Sequence, residues 1–131
     1  MKLVDSSAWV EFFRRRGDPL VKQTVASLLQ ASQAAFTCPI LFELLSGARS
    51  EEETHLEEVF SFCEHAVFTA ADWRAAALLE RRLRGGGLNL PRNDLYVATV
   101  AIRAGWPVVC RDQHFSSAAK LLGATLRVEQ V

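Results

Sequence analysis

Residues 1–13 read MKLVDSSAWVEFF. Leu3 and Val4 make a short apolar strand, Asp5 closes it, and from Ser6 onward the apolar residues fall at helical spacing. A strand that hands over directly to a helix through a carboxylate is the opening of an α/β fold. In such folds ligands gather beyond the carboxyl ends of parallel strands. Asp5 also has an ordinary explanation, because Asp is a favoured helix cap. A functional acid at this point requires further acids, distant in sequence, that converge on the same place.

The rest of the chain repeats the strand–helix alternation. Short, nearly all-apolar strands are expected at 34–38, 66–68, 107–110 and 125–128. Helices are expected from Ser6 or Ser7 to about Arg16, from Pro19 to about Ala31, and from Pro39 to Gly47 or Ala48. Others run from Ser50, with Glu53 as its capping-box partner, to about Glu64, and from Thr69, paired with Asp72, to Arg84. The last two start at Asn93 or Asp94, ending at Gly105, and at Phe115, ending at Leu122. Alternating strands and helices mean a parallel sheet covered on both faces. The class is a small three-layer α/β/α sandwich around a parallel sheet of four to five strands, one domain over residues 1–131.

Bulk properties narrow the function. The 131 residues are 50% hydrophobic and 23% charged, a globular composition. No apolar run is long enough to span a membrane, and the start lacks signal-peptide features, which sets the expectation of a cytoplasmic protein. Cys38, Cys63 and Cys110 are scattered and odd in number, so a disulfide framework or zinc site is disfavoured. His55, His65 and His114 are equally dispersed. Fifteen basic and fifteen acidic side chains cancel. The arginines nevertheless cluster at 14–16 and 81–84, either as solvated helix faces or as a rim that fits phosphate. Gly85-Gly86-Gly87 lacks the spacing and the Lys-Ser/Thr of a phosphate loop.

Four carboxylates stand where carboxylates are costly. Asp112 follows the VVC strand after one arginine, as Asp5 follows the first strand. Glu43 lies within ILFELL, flanked by apolar residues, where the ordinary explanation is an ion pair to an arginine. Asp94 heads the apolar stripe Val97, Ala98, Ala101, Ile102, where the ordinary explanation is again a cap. Those explanations must hold four times over, whereas one metal site accounts for all four. Clustered anions raise one another's pKa, and a divalent cation removes the conflict. Oxygen ligands point to Mg²⁺ or Mn²⁺, a centre suited to phosphodiester hydrolysis.

In order and spacing, VDSS, ELLSGAR, NDLYVATVA and VVCRDQHF resemble the motifs of PIN-domain ribonucleases, in particular VapC-type toxins of toxin–antitoxin pairs. The likeness covers essentially the whole chain. It implies that Asp5, Glu43, Asp94 and Asp112 form the metal-binding and catalytic set, with Ser7 orienting Asp5. It also implies Mg²⁺- or Mn²⁺-dependent RNA cleavage, a homodimer, and inhibition by a VapB-type antitoxin. Arg14, Arg15, Arg16 and Arg92 are the candidates for holding RNA. Two positions depart from the pattern: Cys110 stands where many relatives have Thr, and His114 where many carry another acid.

A phosphorelay receiver needs an acidic pair after its first strand and a late lysine, and a haloacid-dehalogenase-type phosphatase needs a second acid at position 7. Ser6 and Ser7 exclude both. The remaining rival is a catalytically silent PIN-like interaction module. Surplus apolar residues on 19–31 and 50–64, including Phe60 and Phe62, set the expectation of a dimer face beside an antitoxin groove.

Overall fold

The computed structural model describes residues 1–131. In chain order the elements are β1 (Lys2–Val4), α1 (Ser6–Phe13), α2 (Pro19–Gln30), β2 (Ala34–Thr37), α3 (Cys38–Gly47) and α4 (Ser50–Phe60). There follow β3 (Glu64–Ala66), α5 (Ala70–Gly85), α6 (Arg92–Ala104), β4 (Val108–Cys110), α7 (His114–Leu122), a 3₁₀ turn (Gly123–Thr125) and β5 (Val128–Gln130). The five strands are all parallel, in the order β3-β2-β1-β4-β5. The chain therefore winds outward from β1 in one direction and from β4 in the other. The crevice between β1 and β4 is where the strand order reverses.

The three inner strands are apolar because both of their faces are covered: Leu3, Val4, Val108, Val109 and Cys110 are wholly buried. They belong to a core of 26 buried residues. Trp9, with no exposed surface, fixes α1 to this core. Its ring lies 5.7 Å from Phe12, 5.7 Å from Phe13 and 5.0 Å from Phe60. Phe60 in turn stacks on Phe36 of β2 at 4.4 Å. Phe60 is thus a core residue and not part of a surplus apolar face, while its neighbour Phe62 is exposed.

Several boundaries differ from the sequence expectations, each for a local reason. α1 stops at Phe13, since the chain turns early to bring Gly17 against the end of the helix. A Cβ at Gly17 would lie 1.8 Å from the carbonyl oxygen of Glu11, a contact that only glycine avoids. Asp18 then caps α2, accepting from the Leu20 and Val21 amides at 2.9 and 3.3 Å. α4 ends four residues before Glu64 because Ser61 closes it, its amide bonding back to Glu57. The partner at the start of α4 is Glu52, which accepts from the Arg49 amide at 3.0 Å, rather than Glu53. β3 lies two residues early, and β5 starts three residues late, after the 3₁₀ turn.

At the head of α5 the expected Thr69–Asp72 pairing is present, with the Thr69 amide 2.8 Å from Asp72 Oδ2. Asp72 is 1% exposed and also receives Arg103 of α6, from Nε at 2.8 Å and from Nη2 at 3.0 Å. Burial raises the carboxyl's pKa, but the Arg103 and Thr69 bonds outweigh it and leave the pKa lowered. Asp72→Asn keeps an acceptor for Thr69 but leaves Arg103 without its counter-charge. Because Arg103 is half exposed, the expected cost is about 2 kcal/mol in urea unfolding at pH 7. A lowered folded pKa places this stabilisation above the ordinary Asp value of 3.8. The gap between wild type and variant should close as pH falls below it.

Candidate metal centre

Asp5 extends β1 by one residue: its amide bonds the Val109 carbonyl of β4 at 2.9 Å. The carboxyl is therefore held at the mouth of the crevice, and the residue is only 2% exposed. Asp5 itself, rather than Ser6 or Ser7, is the N-cap of α1. Its Oδ2 accepts from the Ser7 amide at 3.1 Å and the Ser7 hydroxyl at 2.7 Å. The same hydroxyl accepts from the Arg111 amide at 3.0 Å, which ties the loop after β4 to the start of α1. Asp5 Oδ1 receives no donor from the protein.

Asp112 stands in the loop leaving β4 and accepts from the His114 amide at 2.9 Å. Asp94 lies in the first turn of α6, where the helix dipole favours negative charge. It does not cap that helix: the N-cap is Pro91, and Asp94 Oδ2 lies 2.7 Å from His114 Nδ1. Glu43, midway along α3, accepts from the Ser6 hydroxyl and from Asn93 Nδ2 at 2.6 Å. It forms no ion pair, so the arginine partner that would have explained it is not there. None of the four acids pairs with Lys or Arg.

The electrostatics register this crowding. Burial, aided by the charges of Asp112 and Asp94 and opposed by Ser7, raises the Asp5 pKa to about 7. Burial likewise raises Asp94, against its bond to His114, with Asp112 and Glu43 adding to the rise. Cys110, beneath the site, is pushed up to about 12 by burial and by Asp112, Asp5 and Asp94, so it is a neutral thiol there. Asp112, whose charge opposes the ionisation of both Asp5 and Asp94, adds oxygen atoms to a set of donors that suits a hard divalent cation.

The structure places the other candidates unequally. Arg14 is exposed, 3.2 Å from Glu11, and borders a groove between α1, α3 and α4 that reaches Glu43. Arg15 and Arg16 are exposed in the turn after α1, at the end of the helix away from Asp5. Arg92 opens α6 two residues before Asp94, with its guanidinium on Glu80 at 3.1 Å. Ser6 and Asn93, which hold Glu43, were expected only as possible helix starts. Asn93 beside Asp94 carried a signal, since an amide at a helix start can reach a neighbouring helix. Nothing in the sequence pointed to the Arg111 amide.

The PIN-domain family profile matches residues 2–121. Ribonuclease VapC11 of Mycobacterium tuberculosis is 38% identical over 126 residues, covering 92% of this chain and 93% of that protein. Ribonuclease VapC19 of the same organism is 31% identical over 103 residues, covering 78% and 81%. Among solved structures, DNA-bound VapBC from Salmonella typhimurium superposes with a TM-score of 0.81 at 16% identity, over 99% of this chain and 98% of that one. VapBC2 from Rickettsia felis, bound to a promoter DNA fragment, gives 0.78 at 19% identity over 99% and 98%. The three-layer sandwich with a five-stranded parallel sheet is therefore the PIN fold. The chain belongs to the PIN-domain family, and its relatives within that family are VapC ribonucleases.

Proposed function

We propose that this chain is the toxin of a type II toxin–antitoxin pair, a cytoplasmic endoribonuclease that hydrolyses RNA phosphodiester bonds with Mg²⁺ or Mn²⁺. The observation that carries the reading is that Asp94 and Asp112 offer oxygen atoms within 4.8 Å of each other and that their charges both oppose the ionisation of buried Asp5, with no Lys or Arg paired to any of the three. The ribonuclease names of its relatives support it.

In this reading Asp5, Asp94 and Asp112 would hold the ion, and Ser7, bonded to Oδ2, would orient Asp5 and leave Oδ1 free for it. Glu43, aimed by Ser6 and Asn93, closes the wall opposite and orients the attacking water. When bound, the cation supplies Lewis acidity, activating water and neutralising charge at the phosphate. Arg14, Arg15, Arg16 and Arg92 are the residues proposed to hold the RNA backbone, with Arg14 on the groove that Glu43 also lines. Such contacts weaken steeply with salt.

A VapB-type antitoxin would fill the groove between α1, α3 and α4, a space of about 430 Å³ lined by Val10, Phe13, Leu44 and Leu56 and ending at Glu43. An arginine from it would be drawn to the carboxylates at that end. The exposed Leu20 of α2 and Phe62 after α4 are the residues proposed for a homodimer face.

The test is cleavage of RNA by the purified protein, with end-group analysis. Water as nucleophile gives 5′-phosphate and 3′-hydroxyl ends, and excess EDTA should abolish the reaction. Persistent cleavage in EDTA, or 2′,3′-cyclic phosphate ends, would overturn the mechanism. RNA binding without cleavage under any divalent ion would make the chain a silent PIN module.

A further inference from the structure

His114 departs from the family's acidic pattern. The structure gives it a place. It is the first residue of α7, and its Nδ1 lies 2.7 Å from Asp94 Oδ2 and 3.8 Å from Asp112 Oδ1. One donor atom from each of the three residues falls within 4.8 Å of the others. The imidazole is 52% exposed over side chains that are 13% and 26% exposed, so it stands on the solvent side of the two carboxylates. Its backbone amide, on Asp112 Oδ1 at 2.9 Å, fixes where the ring begins.

Adjacent ligands around an octahedral ion with bonds of ~2.1 Å are about 3 Å apart, and opposite ones about 4.2 Å. The two Nδ1 distances fall on either side of the first value. A hydrogen bond to Asp94 alone would account for the 2.7 Å contact. The further approach to Asp112 Oδ1, at 3.8 Å, leaves the ring within reach of both carboxylates, so that one ion could take a donor atom from all three residues.

We infer that His114 Nδ1 is an inner-sphere ligand of the ion held by Asp94 and Asp112, and that it biases this centre toward Mn²⁺ and against Mg²⁺. The inference rests on the metal-centre reading above and goes beyond it by naming the ion that the site favours. Mg²⁺ takes oxygen donors and dehydrates reluctantly, whereas Mn²⁺, a first-row transition ion that shares the same oxygen sites, gains more than Mg²⁺ does from a nitrogen donor. An acid at position 114 would leave an all-oxygen set with no such preference.

The experiment is pulsed EPR of the Mn²⁺-loaded protein, paired with calorimetric titration of Mn²⁺ and Mg²⁺. Wild type should show modulation from a directly bound ¹⁴N. That signal should vanish in His114→Ala and His114→Asp, although His55 and His65 remain. The preference for Mn²⁺ over Mg²⁺ should fall about tenfold in both variants. Circular dichroism confirms folding, and the two substitutions differ in charge, so a shared loss reports the missing nitrogen. Mn²⁺ bound by wild type without ¹⁴N modulation, and a preference unchanged in the variants, would overturn the role of His114 and leave the carboxylate centre standing. No binding of either ion by wild type at millimolar concentration would overturn both.

Discussion

Asp5→Asn should lose at least about 10³-fold in RNA cleavage and, freed of metal, should melt at a higher temperature than wild type. Both outcomes follow from one buried charge. The amide keeps an oxygen for the Ser7 amide and hydroxyl, so the cap of α1 survives. What disappears is a carboxylate whose pKa is raised from 3.8 to about 7. An acid with a raised folded pKa binds more protons in the native state than in the unfolded chain. Metal-free wild type must therefore lose stability as pH climbs from about 4 to about 7, and level off above. At 1.36 kcal/mol per pKa unit the full penalty is roughly 4 kcal/mol. The buried amide recovers only part of it, because its NH₂ group also needs a partner, so the expected net gain at pH 8 in EDTA is about 2 kcal/mol. For a domain of this size that is about 8 °C in Tm. Saturating Mn²⁺ should reverse the order, since it stabilises only a site that can bind it. Melting curves in EDTA at pH 5 and pH 8, then with Mn²⁺, decide the matter. A wild type whose Tm is flat over this range, with a variant no more stable, would show that Asp5 is not held as a strained anion.

The same costly charge made parts of the site legible in the sequence. Asp5 was conspicuous because a strand-end carboxylate followed by serines has a position that topology alone makes meaningful. Glu43 and Asp94 were conspicuous because charge on an apolar helical stripe needs an explanation. The inner strands read clearly as well, since LV, AAF and VVC are apolar on both faces. The edge strands did not. β3 is Glu64-His65-Ala66, largely exposed, and carries none of the apolar run that marks a covered strand. The apolar AVF that looked like the strand begins only at its last residue. β5 was displaced by Gly123, whose φ of +61° starts a turn that no pattern of hydrophobicity reports. At the site, the supporting contacts were the hidden layer. Ser6 to Glu43 and Asn93 to Glu43 join residues 37 and 50 positions apart, and only the packing of α1, α3 and α6 brings them together.

Trp9 is where that packing can be tested most severely. Its indole is wholly buried among Phe12, Phe13 and Phe60, and it lies on the same helix turn as Ser6 and Ser7. Trp9→Ala removes the largest buried side chain and leaves a cavity beneath α1, at an expected cost of about 3–5 kcal/mol in urea unfolding. Against a total of about 5–15 kcal/mol for an ordinary domain, that is a severe loss. Trp9→Phe should behave differently. The indole Nε1 is buried without a hydrogen-bond partner, so the wild type already carries the cost of an unsatisfied donor. Phenylalanine loses volume but also removes that donor, and the two effects should offset to within about 1 kcal/mol. The chemistry should follow the same order. α1 carries Asp5 at its cap, Ser7 on Asp5 and Ser6 on Glu43, so a helix that settles into a cavity misaligns three of these contacts at once. Trp9→Ala protein that remains folded at low temperature should therefore bind Mn²⁺ weakly and cleave poorly, while Trp9→Phe does both nearly as wild type. If the alanine variant unfolds at the wild-type urea midpoint, the aromatic cluster is not what holds α1 against the sheet, and the site must owe its alignment to the β1–β4 ladder alone.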